Sequence, residues 1–510
     1  MTENKKIAKN TLFLYIRMFF TLGVALYTSR VILQVLGVEN YGIYSVVGGI
    51  VSLFSFFNGA MASATQRFLS FDIGKNDEDQ LKKTFNATLN IHFVIAVIAL
   101  ILSETIGFWF VNNKLNIAEN RMFAANMVYQ FSIFTFVLGI IQVPYDALII
   151  AREKMNIYAY MSIIEVFLKL IILYLLSLFE YDYLILYAFF LFLVSFVIRM
   201  GHKYYCKANF KESKYIFYYD KTYYRKLISY SGWNLFGSMA GIAKGQGINI
   251  ILNIFFGTIM NATYGITLQL QGAANLFVSN FQLAVNPQII KTYAQDNIQQ
   301  CHRLIIQSSK FSFFLILLII NPIILNLEFI LNFWLKAPPQ HTKSFVFLCL
   351  INLLIDCISG PIMAGLQATG KIKAYQMIVG MLLILNLPLS YLMLKYINIA
   401  EYVFYISIFI SIIALFVRLI FVKINLSLSI NLFLKEVIIP ILIIGIISFV
   451  FHYLLVINTP ITSNWISFIL KSILIVVITL ILILIIGINK NEKIFIKNFI
   501  KTKLNKNGIK

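Results

Sequence analysis

The chain has 510 residues, of which 60% are hydrophobic and 12% charged, and its mean hydropathy is +0.82. A water-soluble domain has too little interior to bury that much apolar surface, so the composition excludes an ordinary soluble protein and makes lipid the main solvent. The formal net charge of +21 is distributed over the connections between apolar runs rather than gathered in one patch, which argues against a nucleic-acid partner.

A helix crossing a hydrocarbon core of about 30 Å needs about 20 mostly apolar residues. Such runs fall near 12–36, 41–66, 87–111, 122–150, 158–178, 183–205, 227–255, 264–286, 308–333, 344–366, 375–396, 402–424, 436–457 and 465–489. They lack period-2 alternation and are about twice the length of a barrel strand, so they predict an all-α polytopic membrane protein with about 14 transmembrane helices. The first run is too long for a signal-peptide core and has no small-residue cleavage site, which makes it a retained span.

Lys5, Lys6 and Lys9 precede the first run; Arg67, Lys75, Lys82 and Lys83 follow the second; Arg152 and Lys154 follow the fourth. The connection after the sixth holds Lys203, Lys207, Lys211, Lys214, Lys221, Arg225 and Lys226, whereas the alternate connections are poor in Lys and Arg. Positive residues stay on the cytoplasmic side, so both termini are expected inside. Cys206, Cys301, Cys349 and Cys357 show neither metal-ligand spacing nor a disulfide framework and read as small apolar fillers.

The segment "GLQATGK" at 365–371 is one residue short of a phosphate-binding loop, with Gly365, Gly370 and Lys371 in place and Ile372 where a hydroxyl is needed for Mg²⁺. It is instead half of a repeat. "PYDALIIAREKMNIYAY" (144–160) aligns without a gap on "PIMAGLQATGKIKAYQM" (361–377), pairing Pro144 with Pro361, Lys154 with Lys371 and Tyr158 with Tyr375. Likewise Tyr41-Gly42-Ile43 recurs as Tyr264-Gly265-Ile266, and Leu53-Phe54 as Leu276-Phe277. Partners six spans apart face the same way across the membrane, which predicts two parallel six-helix lobes, a transporter architecture. Lys371 is then the counterpart of Lys154 at a helix end, and no ATP-driven motor is expected.

The expected organisation is an N-terminal lobe at 1–205, a basic cytoplasmic linker at 206–226, a second lobe at 227–424, an additional helix pair at 425–489 and a basic cytoplasmic tail at 490–510. Ser29-Arg30 closing the first run, "LGVENYGIY" (36–44), "QRFLS" (66–70) and the Pro144/Pro361 helix ends together resemble the Wzx-type polysaccharide-lipid flippases of the multidrug/oligosaccharidyl-lipid/polysaccharide exporter (MOP) superfamily. The resemblance implies a V-shaped, MATE-like pair of lobes with two further C-terminal helices, in a bacterial cytoplasmic (inner) membrane. It also implies export of an undecaprenyl-diphosphate-linked oligosaccharide to the periplasmic leaflet. No cofactor, ATP or nucleic acid is implied. Coupling to H⁺ or Na⁺ stays open, and a polysaccharide polymerase with its chain-length machinery joins membrane lipids as expected partners.

A charge near the bilayer centre costs about 2.5–3.5 kcal/mol on insertion scales, so each needs a cavity or a partner. The cations are Arg17 and Arg30 in the first run, Lys169 in the fifth, Lys244 in the seventh and Lys471 in the last; the acids are Glu165 and Asp356, with Glu104 and Glu328 nearer the outer ends. Lys244 lies among Gly237, Gly241, Gly245 and Gly247, a spacing that admits close helix packing or a bent helix. It either lines the path of an anionic headgroup or snorkels or pairs with an acid. Glu165 and Lys169, four apart, either neutralise one another or place Lys169 in a cavity. Arg17 and Arg30 point about 140° apart, so one straight face cannot carry both; Arg30 belongs to the matched Ser29-Arg30. Asp356 is a candidate coupling or partner acid. "DED" (77–79) reads as a turn with Asp79 as helix N-cap, not a transferase metal site. His92 and His452 read as structural. No Ser/His/Asp or Cys/His grouping emerges, so a transporter rather than an enzyme is expected. The alternatives are a peptidoglycan-precursor flippase, a cation-coupled multidrug exporter of the same superfamily and, from another class, a membrane glycosyltransferase or polymerase.

Overall fold

The computed structural model describes residues 3–52, 56–114, 117, 119–176, 178–256, 258–335, 338–458, 464–489 and 492. Every described regular element is helical. In chain order they are α1 (Glu3–Ser52), α2 (Phe56–Gly74), α3 (Glu78–Leu102), α4 (Phe108–Lys114), α5 (Met122–Ala151), α6 (Met155–Leu176), α7 (Tyr183–Asn209), α8 (Lys221–Phe256) and α9 (Thr258–Ala294). There follow α10 (Ile298–Leu325), α11 (Leu327–Leu335), α12 (Thr342–Thr369), α13 (Lys373–Ile397), α14 (Tyr402–Leu426), α15 (Ile430–Phe433), α16 (Ile439–Asn458) and α17 (Trp465–Leu482).

Among the described residues, eleven helices are long and apolar enough to cross a membrane, as a polytopic membrane protein requires. They correspond to eleven of the fourteen expected runs. The other three, 12–36, 41–66 and 264–286, fall on α1, α2 and α9. Polar residues interrupt two of these helices: Gln269, Gln271, Asn275, Asn280 and Gln282 on α9, and Thr65, Gln66 and Arg67 on α2. The connection expected between the first two runs is helical, because α1 continues unbroken to Ser52.

One turn differs from what its sequence predicts. The helix following "DED" is capped by Asp77, not Asp79: Asn76 takes a left-handed φ of 54°, the chain enters the helix at Glu78, and Asp77 accepts a hydrogen bond from Gln80 N at 2.9 Å. Asp79 sits in the first helical turn, where its charge favours the helix dipole. The near-phosphate-loop is the end of α12, preceded by helix rather than strand. Gly370 ends it at φ +73°, as a left-handed cap suited to glycine.

The fold divides into two compact units. One comprises Met1–Gly241, Leu283–Cys301 and Gln367–Gly380; the other comprises Ile242–Gln282, His302–Leu366 and Met381–Lys510. The first unit shows the sequence repeat as geometry. The α2–α3 and α9–α10 turns have left-handed residues at Asn76 and Asp296, 220 positions apart, followed by Asx caps at Asp77 and Asn297 that accept from Gln80 N and Gln300 N at 2.9 and 3.1 Å. Lys75 of one turn pairs with Asp296 of the other at 2.8 Å. A Cβ on Gly74 would lie 2.7 Å from the Ala294 Cβ, so the two helix ends approach as closely as glycine permits.

Each turn region is also clasped by a partner from the other repeat. Glu153, left-handed at φ 58° and only 4% exposed, accepts hydrogen bonds from Gln288 and Lys291. Arg67, also 4% exposed, donates to the carbonyls of Gln367 and Ala368 at 3.0 and 2.9 Å, beside Gly370. Its guanidinium lies against the rings of Phe68, Phe71 and Tyr230. In the sequence Arg67 reads as a topology signal and as part of the "QRFLS" motif, and neither reading anticipates these contacts.

Replacing Arg67 by Ala leaves two carbonyls without their charged donor, a loss of about 3 kcal/mol or more. The expected outcome is a clearly lowered Tm in detergent. Arg67→Lys restores only part of it, because an ammonium lacks the planar fork.

Asp72 lies beyond the second run, buried, and accepts from Thr84. Burial pushes its pKa up to about 6, against the opposing pull of the Thr84 hydrogen bond and Arg67. A raised carboxyl pKa favours the protonated form in the fold, so its contribution falls as pH rises through about 6 and recovers as pH falls. Tm measured from pH 8 to pH 5 is therefore expected to rise more in the wild type than in Asp72→Asn. Equal slopes would remove Asp72 as the titrating group.

Candidate functional site

In the second unit, Lys244 lies half-buried in the middle of α8. It makes no hydrogen bond or ion pair with a described residue. Its electrostatic neighbours are Asp356 and Cys349 on α12 and Arg418 on α14. Asp356 accepts from Asn352 Nδ2 at 2.9 Å. Arg418, 7% exposed, donates to Ser359 Oγ at 3.1 Å, while its Nε has no acceptor among the described residues. Lys244 thus has a carboxylate and a second cation in its neighbourhood, and none of the three is locked into an ion pair among the described residues.

The helix bearing Lys244 is continuous through all four glycines. A Cβ at Gly237 would strike Gln376, and one at Gly247 would strike Leu387, whereas Gly241 and Gly245 have nothing within 4 Å. The first two therefore serve close packing. No break in α8 exposes backbone amides at this position.

In the first unit, Lys169 and Glu165 form the expected pair on α6 at 2.6 Å, each about two-fifths exposed. Arg17 lies over the Tyr158 ring at 4.9 Å, and Tyr158 also feels the charges of Asp146 and Glu165. The side chains of Ser29 and Arg30 lie outside the described residues. The structure adds a group that the sequence reading did not single out. Asp146 on α5 meets His202 Nε2 at 3.3 Å and Gln142 Nε2 at 3.2 Å, within the electrostatic reach of Arg199 on α7. Arg199 is 5% exposed, and neither terminal nitrogen has a hydrogen-bond partner among the described residues.

Arg199 and Arg418 stand 219 positions apart, on the sixth helix of each repeat. Both repeats accordingly carry the same sequence of charges: a cation on the first helix (Arg17, Lys244), an acid on the fourth (Asp146, Asp356) and a buried arginine on the sixth (Arg199, Arg418). The spacing of the aligned motifs would have located the arginine pair. Asp146 has no acidic counterpart at its aligned position, so the repeat alone did not reveal it.

Other charges are accounted for locally. Lys310 and Glu492 form a buried pair at 2.8 Å, 2% and 4% exposed, so Glu492 is not a solvated part of the basic tail. Glu104 accepts from Gln130 at 3.1 Å, and Glu328 pairs with Lys343 at 2.8 Å. His92 Nδ1 contacts the Thr88 carbonyl at 2.8 Å, and His452 stacks on Phe449. All four cysteines are free and buried. Among the described residues, no three His, Cys, Asp or Glu side chains gather as metal ligands.

No known family profile matches the sequence. No curated protein matches it either. Solved structures do. A multidrug resistance MATE family transporter of the MOP superfamily, in an outward-facing conformation, superposes with a TM-score of 0.69 at 13% identity, over 82% of this chain and 96% of that one. A MATE structure in the bent conformation gives 0.70 at 13% identity, over 84% and 96%. A MOP superfamily transporter from Pyrococcus furiosus, described as having a binding pocket of reverse polarity that suggests a different function, gives 0.68 at 13% identity, over 82% and 96%. The fold of this chain is that of the MATE transporters of the MOP superfamily.

Proposed function

We propose that the chain is a membrane transporter that moves a polyprenyl-diphosphate-linked oligosaccharide out of the cytoplasmic leaflet by alternating access. The observation that carries this reading is the cationic set of the second unit: Lys244 without an ion-pair partner among the described residues, with Arg418 beside it and Asp356 as the accompanying carboxylate. A substrate of prenyl chain, diphosphate and sugar can keep its chain in lipid, while the diphosphate needs cations and hydrogen-bond donors. An excess of positive charge serves that need. An organic cation would be repelled by it.

Lys244 takes the diphosphate directly in this scheme. Arg418, held by Ser359, supplies fixed positive potential, and Asp356 tempers the affinity so that release remains possible. Arg17 and Arg30 serve the first repeat. Lys169, neutralised by Glu165, contributes structure more than charge. Export of two negative charges from a negative-inside cell is favoured by about 2.3 kcal/mol per charge per 100 mV, which drives the step without ATP. H⁺ or Na⁺ exchange through Asp356 or Glu165 would add to that drive.

A second reading, a multidrug exporter, is favoured by the likeness of the fold to that of a multidrug resistance MATE family transporter. The two readings separate on Lys244. Changing Lys244 to Ala is expected to abolish surface polysaccharide while the protein stays in the membrane, with Lys244→Arg retaining much of it. Unchanged polysaccharide in the Ala variant, together with lost resistance to cationic dyes, would favour the exporter.

A further inference from the structure

The first unit contains a groove on which the transport scheme does not draw. It has a volume of about 330 Å³ and runs between α3 and α8, with Met61 of α2 also lining it. Ile91, Val94 and Ile95 form one wall, and Ile228 and Leu235 the other. Val94 and Ile228 are each more than half exposed, so the groove opens outward among surface apolar side chains. Gly232 also lines it, with nothing within 4 Å of a Cβ placed there.

Polarity changes along both walls in the same direction. On α3, Lys83, Asn90 and Val94 recur at i, i+7 and i+11, which places them on one stripe. On α8, Lys221, Tyr224, Ile228 and Leu235 recur at i, i+3, i+7 and i+14, also one stripe. At the middle level the walls are joined: Asn90 Nδ2 donates to Tyr224 OH at 2.9 Å, and Tyr215 OH donates to Asn90 Oδ1 at 3.1 Å. At the charged level, Lys83 and Lys221 are exposed, and Lys83 Nζ lies 5.9 Å from the Tyr218 ring centroid. The carboxylate at that level on α8, Asp220, is occupied in capping the helix through Thr222 N and Tyr223 N at 2.8 and 3.1 Å. Arg225 and Lys226 add further exposed positive charge.

Cation, hydrogen-bonding tyrosine and amide, then apolar trough: this is the polarity profile of one anionic phospholipid, read from phosphate to acyl chain. We infer that the α3–α8 groove binds a single anionic phospholipid of the Lys/Arg-rich leaflet, with an acyl chain between Val94 and Ile228 and its phosphate between Lys83 and Lys221. The tyrosines fit the interfacial level, where amphipathic rings sit at the headgroups. The lysines supply the attraction that anionic lipid gives to basic segments at the membrane surface.

The test is native mass spectrometry of the full chain released from bilayers of equal phosphatidylglycerol and phosphatidylcholine, with a second series containing polyprenyl phosphate. The wild type is expected to retain one phosphatidylglycerol in preference to phosphatidylcholine. Lys83→Gln with Lys221→Gln should lower that preference about tenfold. Gly232→Phe, which fills the trough without touching a lysine, should remove the bound lipid while a normal Tm shows that the fold persists. Equal retention of the two phospholipids by the wild type would overturn the assignment. So would unchanged retention in the double Gln variant or in Gly232→Phe, or displacement of phosphatidylglycerol by an equal concentration of polyprenyl phosphate.

Discussion

The cost of placing charge in hydrocarbon governs this structure. A chain that is 60% hydrophobic nevertheless carries arginine, lysine and aspartate in the interior of its helices. Each such group has to be offset by a neighbour or retained for a ligand. Offsetting is visible at Lys310–Glu492, at Glu165–Lys169 and at Asp146–His202. Lys244, like Arg199 and Arg418, makes no ion pair with a described residue, although the carboxylate of Asp356 lies in its neighbourhood. That difference is what separates a structural charge from a candidate binding charge.

The repeat gives the same problem two related solutions. First, fourth and sixth helices of each half contribute cation, acid and arginine, yet the local chemistry diverges. In the first unit Asp146 is shared among a histidine, an amide and Arg199. In the second, Arg418 leans on a serine hydroxyl and Asp356 on an asparagine, which leaves more positive potential unspent. Duplicated scaffolds commonly keep their helix positions while their side chains specialise, and here specialisation falls on the balance of charge.

Much of the fold was legible in the sequence, because span length, loop charge and a repeat are properties of consecutive residues. The eleven apolar helices coincide with expected runs, and the turns after α2 and α9 reproduce one another down to their Asx caps. What escaped reading depends on distant residues or on a single backbone torsion. Arg67 looked like a topology signal until its guanidinium was seen bridging carbonyls three hundred positions away. Asp77 displaced Asp79 as a cap because a single left-handed residue sets where the helix begins. Arg199 and Arg418 lie within apolar runs and were recognisable only as a pair. The glycines around Lys244 suggested a broken helix, but packing against Gln376 and Leu387 accounts for two of them without any break.

The central claim is that unneutralised positive charge in the second unit selects a doubly charged lipid carrier. Purified chain in proteoliposomes, loaded with a fluorescent polyprenyl-diphosphate oligosaccharide and given a negative-inside potential, measures it directly. The account predicts loss of inner-leaflet signal without ATP, accelerated by the potential and abolished in Lys244→Ala. Movement of an organic cation instead, or lipid transfer that is indifferent to Lys244, would contradict it.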